Sequence, residues 1–297
     1  MTRWWRNYAL LAICWGLPFY FIMLSLESFG PVHIAFLRFV IGAAILWLVT
    51  AFTRTLLPRN PVVYGHLFVM ALFLNSVPGV LFATSEQYVS SIFAGIMNGA
   101  TPLMALLATL VLFREQTATR SQKVGLVIGF GGLVTVLGAW QGLQGGSAMG
   151  FAMLLVAVAG YGISFPYSRR YIYPHGVAPV AIATIQVSFG ALQLLPFAIF
   201  SSLPDAVSTE SLVGVMGLGI VSTALAYLLH FDLLQSGRTL IASTVTYWTP
   251  LVAVLAGTIL LGEHLSWHEP VGAIVIVIGL LVAQERINAG RLNPLRR

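Results

Sequence analysis

Two stretches set aromatic rings beside a glycine and a proline: Trp15-Gly16-Leu17-Pro18-Phe19 and Tyr161-Gly162-Ile163-Ser164-Phe165-Pro166. Rings give flat apolar contact, and Gly with Pro kinks or unwinds a helix so that backbone carbonyls turn outward. Together they suit a pocket for a small apolar or aromatic group; packing or lipid contact is the other use of such rings. A second set is polar and uncharged. It comprises Asn75-Ser76-Val77-Pro78-Gly79 with Phe82 beyond, Asn98 and Thr101 ahead of Pro102, Ser222-Thr223, and Thr244, Thr246, Tyr247, Trp248 and Thr249 ahead of Pro250. An amide donates and accepts at once, so Asn75 and Asn98 are the leading candidates to meet a ligand's amino and carboxylate groups. Bonding between helices is the competing use of all these groups.

The charged candidates are few. Arg38 lies in an apolar run, roughly 9 Å past its start at Val32 if that run is a helix. Such a charge costs about 2.5–3.5 kcal/mol in hydrocarbon on the mild insertion scale. It therefore draws in an anionic or zwitterionic ligand, holds a gate, or snorkels back to the surface. His264 and His268 have the i, i+4 spacing of a zinc pair, yet they flank Trp267 in a polar connection, where a solvated loop explains them. Cys14 cannot form an internal disulfide, being the only cysteine. The sequence holds no Walker A pattern and no HExxH, so it carries no signal for ATP hydrolysis or a zinc hydrolase.

Positioning these groups falls to a chain of 297 residues, 58% hydrophobic and 8% charged. A soluble domain carries about 25% charged residues, so this chain reads as an integral membrane protein. Ten apolar runs are each about long enough to cross the hydrocarbon as a helix: 8–26, 32–52, 66–84, 92–112, 123–140, 150–168, 178–200, 212–231, 241–261 and 270–286. Runs such as Val271 to Ala283 lack the alternation a β-barrel needs. The first run follows Arg3 and Arg6 as a signal peptide would, but no A-x-A site follows it, and it reads as a retained helix.

With the N-terminus in the cytoplasm, 14 of the 15 Lys and Arg residues fall on the cytoplasmic side, and Arg38 is the exception. The set includes Arg3, Arg6, Arg54, Arg59, Arg114, Arg120, Lys123, Arg169, Arg170, Arg238, Arg286, Arg291, Arg296 and Arg297. The positive-inside rule then places both termini inside. This placement gives the net charge of +6 a meaning unrelated to nucleic acid. Every carboxylate is expected in a loop or at a helix end, which argues for exchange or facilitated diffusion over proton coupling.

The chain also repeats itself. Thr101-Pro102-Leu103 returns as Thr249-Pro250-Leu251, and at the same offset of 148 Glu115 meets Glu263, Gln87 meets Gln235, Gly42-Ala43 meets Gly190-Ala191 and Arg38 meets Gln186. Trp15-Gly16 pairs with Tyr161-Gly162 at a nearby offset. Residues 1–145 and 146–297 thus read as two five-helix halves. Since five is odd, the halves are inverted across the membrane, a recurring plan of secondary transporters with a substrate site at the midplane.

These residues resemble the EamA family of the drug/metabolite transporter superfamily. The resemblance rests on the ten-helix plan, Trp15-Gly16, the paired Thr-Pro motifs and the Gly-rich fifth and tenth helices. It spans essentially the whole chain and is nearest to the YddG-type exporters of amino acids. It implies a central cavity lined by helices 1, 3, 4, 6, 8 and 9, with helices 5 and 10 at the periphery. It also implies a small-molecule substrate, among which amino acids, cysteine metabolites, purines, drugs and phosphorylated sugars are all represented in relatives. The candidate substrate-binding set is Trp15, Phe19, Asn75, Pro78, Phe82, Asn98, Thr101, Tyr161, Phe165, Ser222, Tyr247 and Trp248, with Arg38 in a gating or electrostatic role. No cofactor or metal is expected. The partners are the lipid bilayer of a bacterial-type inner membrane and no nucleic acid, with monomer and homodimer both open. The leading reading is an alternating-access exporter of amino acids or related metabolites; the alternatives are an exporter of drugs or nucleosides/purines of the same superfamily, a membrane-embedded enzyme or flippase, and a channel. Gly95/Gly99 and Gly125/Gly129, each a GxxxG, read as helix packers.

Overall fold

The structure, a computed structural model, describes residues 3–114, 117–138, 140, 145–235 and 245–285. Among these residues all regular structure is helical, in ten helices. They are α1 (Trp5–Ser25), α2 (Pro31–Phe52), α3 (Pro61–Ser85), α4 (Ser91–Val111), α5 (Arg120–Leu137), α6 (Ala148–His175), α7 (Pro179–Phe200), α8 (Thr209–Leu233), α9 (Val245–Leu260) and α10 (His268–Ala283). Seven of them, α1–α4 and α6–α8, are long and apolar enough to cross a membrane, and α9 and α10 are shorter apolar helices. Arg238, Thr244, Arg286, Arg291, Arg296, Arg297 and Glu115 lie outside the described residues, as does the start of the ninth apolar run.

Helix starts follow local chemistry. Proline needs no hydrogen-bond partner for its nitrogen in a first turn, and Pro31, Pro61 and Pro179 open α2, α3 and α7. Asn60 caps α3 through Val62 N–H, which starts that helix five residues before the apolar run does. Ser90 and Ser208 cap α4 and α8. Thr119 and Gln122 form a capping box on α5, and Gly138 at φ 60° ends it, so α5 begins and stops earlier than its apolar run suggests.

Five helices are interrupted along their length. α1 bends at Leu17, between Arg3–Gly16 and Pro18–Ser25, while Leu17 N–H still reaches Ile13 O at 3.0 Å. The Gly-Pro pair therefore kinks this helix rather than unwinding it. α6 runs on through Pro166. α3 and α8 each widen into a π segment, Leu72–Ser76 and Gly217–Leu225. α4 breaks at Gly99-Ala100, just ahead of Thr101-Pro102, and α9 passes from a 3₁₀ turn at Val245–Tyr247 into the α-helix Thr249–Leu260. Pro102 has no N–H to give the carbonyl four residues back, and the Thr101 hydroxyl donates to that carbonyl, Asn98 O, at 2.7 Å. Thr249 does the same for Thr246 O at 2.9 Å, the carbonyl that Pro250 leaves open. In an apolar surrounding an open carbonyl is expensive, so threonine before proline lets these helices bend without stranding one.

The expected GxxxG packing lies within the chain. α5 and α10 approach backbone to backbone, so a Cβ on Gly279 would sit 2.4 Å from Gly129 N. Gly95 and Gly99 pack on Ala253 and Pro250 of α9. Matching contacts recur in the two halves: Gly16 packs on Val252, and Gly162 on Met104; Gly42 packs on Thr223, and Gly190 on Asn75.

Candidate functional site

The helix interruptions gather around one cavity of about 150 Å³. α1 contributes Trp15, Pro18, Phe19 and Ile22; α3 contributes Leu74, Asn75 and Phe82; α4 contributes Asn98 and Thr101; α6 contributes Tyr161 and Phe165. α8 adds Ser222, Thr223 and Tyr227, α9 adds Thr246 and Thr249, and α2 adds Arg38 and Phe39. α5 and α10 take no part, in line with the family resemblance, whereas the contribution of α2 goes beyond it. A cavity of about this size holds a benzene-sized guest, and drug-sized ligands occupy roughly 300–1,000 Å³.

One wall is aromatic. Phe82 stacks on Tyr161 with centroids 5.6 Å apart and lies 5.5 Å from Phe19. Trp15 rests against His230 at 5.1 Å. Ile22, Ile34, Phe82 and Leu218 are buried in one apolar cluster, with Ile22 near the finish of α1 and Ile34 near the start of α2. At the same end Ser211 donates to Leu24 O, and Ser208 donates to Glu27, tying α1 to α8. Phe165, a turn away from Tyr161 in the other direction, is 52% exposed.

The polar wall is incompletely satisfied. Arg38 Nε donates to Thr223 Oγ1 at 3.0 Å, and its guanidinium carbon lies 5.6 Å from the Phe39 ring centroid. The side chain is thus held in the cavity and does not snorkel outward. Gln186 Nε2 donates to the Tyr227 hydroxyl at 2.6 Å. Asn75 Oδ1, Gln186 Oε1 and Ser222 Oγ are buried without hydrogen-bond partners. Buried polar atoms are rarely left so, and Asn75 and Ser222 are both among the residues that line the cavity.

The structure brings together ten of the thirteen residues singled out from the sequence. Pro78 packs instead near Gly160, Tyr247 donates to Gln284 Oε1 at 2.6 Å, and Trp248 sits at the start of the α-helical part of α9, half exposed. The 3₁₀ turn ahead of Trp248 shifts the phase of both aromatics. Tyr227 and Gln186 were not among those candidates. Tyr227 lies about one turn from Ser222 and Thr223 on the same helix, and Gln186 is the repeat mate of Arg38. His268 is buried and donates to Val136 O, while His264 is exposed. Among the described residues no three His, Cys, Asp or Glu side chains come close enough to share a metal. Glu263 accepts from Ser91 N, Ser91 Oγ and Ile92 N, capping α4 from the α9–α10 connection.

The chain matches the EamA-like transporter family over residues 6–138 and again over 148–283. It is 26% identical to an uncharacterized transporter of Archaeoglobus fulgidus over 94% of this chain and 97% of that one. It is 25% identical to Protein PecM of Dickeya dadantii, covering 94% and 92%. It is 27% identical to the uncharacterized inner membrane transporter YedA of Escherichia coli, covering 92% and 87%. A solved crystal structure with 20% identity superposes over 97% of each chain with a TM-score of 0.66, a likeness of fold. The chain is a multi-pass membrane protein and belongs to the EamA-like transporter family.

Proposed function

We propose that this transporter exports amino acids, aromatic and apolar ones among them, or closely related small metabolites across a bacterial-type inner membrane. It works by alternating access, spans the membrane ten times and keeps both termini in the cytoplasm. It is a carrier and not an enzyme. The observation that carries the reading is the cavity itself. It is ring-lined, sized for one small molecule, and furnished with a guanidinium and buried unpartnered amide and hydroxyl oxygens. Larger drugs exceed its volume, and a cationic drug would meet Arg38 with no carboxylate among the described lining residues to offset it.

The inverted-repeat reading draws support from contacts that recur at equivalent positions. Trp15 on His230 answers Tyr161 on Phe82. The π segments of α3 and α8 correspond, as do the two threonine–proline turns. Similar halves of opposite orientation give the two access states similar energies.

The test is counterflow. Proteoliposomes preloaded in turn with each standard amino acid should take up a labelled amino acid without any proton gradient, with stimulation by particular members of the set. A flat response to all twenty would sink the amino-acid reading.

A further inference from the structure

Among the described residues that line the cavity, Arg38 carries the one full charge. Its surroundings organise it without neutralising it. Thr223 Oγ1 accepts from Nε, and the same hydroxyl donates to Leu218 O at 2.8 Å, so Thr223 is occupied with holding the guanidinium in place. No described carboxylate lies within ion-pair distance, and the fork's remaining N–H groups keep donors to give. The Tyr161 and Tyr227 side chains line the same cavity. Ser222, next to Thr223, is 2% exposed, and its hydroxyl has no partner.

A cation deep in a membrane protein needs an anion, and this one is kept from reaching the surface by its bond to Thr223. The counter-charge must then arrive with the ligand. A guanidinium fork fits a carboxylate's two oxygens, and the Ser222 hydroxyl is a further donor beside it. An ammonium group is treated differently. No carboxylate lines the cavity among the described residues to receive it, and Asn75 Oδ1 is a neutral acceptor.

Resting on the reading of this cavity as the substrate site, we propose that Arg38 selects substrates by their free carboxylate. The ammonium group of an amino acid is tolerated but not required. Amino acids are then one part of a wider class that includes ring-bearing carboxylic acids lacking the amine, and decarboxylated amines fall outside it.

Four compounds sharing one ring test this on the full chain: L-phenylalanine, 3-phenylpropionate, phenethylamine and phenylalaninamide. Thermal stability in detergent reports binding, and counterflow in liposomes reports transport. Phenylalanine and 3-phenylpropionate should raise the melting temperature and exchange, and the two compounds without a carboxylate should do neither. Arg38→Gln, which installs the residue type of the mate position, should weaken both acids about 10- to 100-fold. Arg38→Lys keeps the charge without the fork and should fall between. The wild-type comparison stands by itself if Arg38→Gln does not fold. Phenethylamine binding as well as the acids, no response to either acid, or unchanged acid affinity in Arg38→Gln would each overturn the proposal. Exchange of 3-phenylpropionate with silence from every standard amino acid would instead overturn the amino-acid reading and leave carboxylate selection standing.

Discussion

Thr101→Val removes a hydroxyl with a defined duty. Thr101 is 6% exposed and donates to Asn98 O, the carbonyl that Pro102 cannot serve. Valine keeps the side-chain shape but leaves that carbonyl without its donor. An unsatisfied buried group costs about 1–3 kcal/mol, and hydrogen bonds measured inside membrane proteins average about 0.6 with a maximum near 1.7 kcal/mol. We expect a loss of about 1 kcal/mol, or about 2–4 °C in Tm at the scaling of larger domains. Pro102→Ala supplies the backbone N–H that the proline lacks, and in that background Thr101→Val should cost only a few tenths of a kcal/mol. The assay is a double-mutant cycle read by thermal unfolding in detergent, with Thr249→Val and Pro250→Ala as the second copy. An equal cost for Thr101→Val with and without Pro102 would refute the reasoning, since the hydroxyl would then be serving something other than the proline gap.

Glu86 follows the last residue of α3, is 4% exposed, and has no partner for either carboxylate oxygen. Burial, and then the neighbouring Glu263, hold its carboxyl well above the ordinary value of 4.5. The folded chain thus binds this proton more tightly than the unfolded chain, so stability is fully present below that ordinary value and declines as pH rises above it. Glu86→Gln should flatten the decline and raise Tm at pH 7, and an unchanged slope in Tm against pH would contradict this. Gly279→Val should abolish folded protein on a size-exclusion profile, because backbone atoms of α5 occupy the space. Gly131→Ala, with nothing within 4 Å, should be neutral or stabilise by up to about 1 kcal/mol. Tyr161→Leu removes the ring on which Phe82 stacks, and the preference for aromatic over aliphatic amino acids in counterflow should fall about 2- to 10-fold. An unaltered preference would remove Tyr161 from the specificity wall.

What the sequence made legible was whatever local chemistry decides. Apolar runs gave the helices, with Pro31 and Pro179 at the edges of two of them, and the repeat paired Trp15-Gly16 with Tyr161-Gly162. Tyr227 was hidden because its helix passes through a nine-residue π segment just before it, which changes the angle per residue and breaks a 3.6-residue count. Tyr247 and Trp248 misled for a related reason, a 3₁₀ turn ahead of α9. Glu86 looked like a loop carboxylate. Its burial depends on segments far away in sequence, among them the α9–α10 connection that carries Glu263, and no local pattern reports that. The direction taken by the Arg38 side chain was equally undecided until Thr223, 185 residues on, supplied its acceptor.

Where the two halves correspond and where they differ is itself informative. The corresponding features are mechanical: close glycine contacts, π segments, proline turns with their threonines, and one aromatic stack at each end. The differing features are chemical. Arg38 stands opposite Gln186, and Phe82 opposite His230. Under the inverted-repeat reading this division has a physical reason. Two access states of similar energy need hinges and interfaces that work alike in both directions. The proposed substrate, however, has one charged end and one apolar end, and no symmetric site can hold both. Repeating the charge as well would bury a second guanidinium beside Tyr227, a residue that lines the same cavity as Arg38, and each charge would raise the cost of the other. Gln186 avoids that cost, and its amide instead holds Tyr227 at the cavity wall. The asymmetry at this pair of positions is therefore what a repeated scaffold needs to bind a small molecule in one orientation.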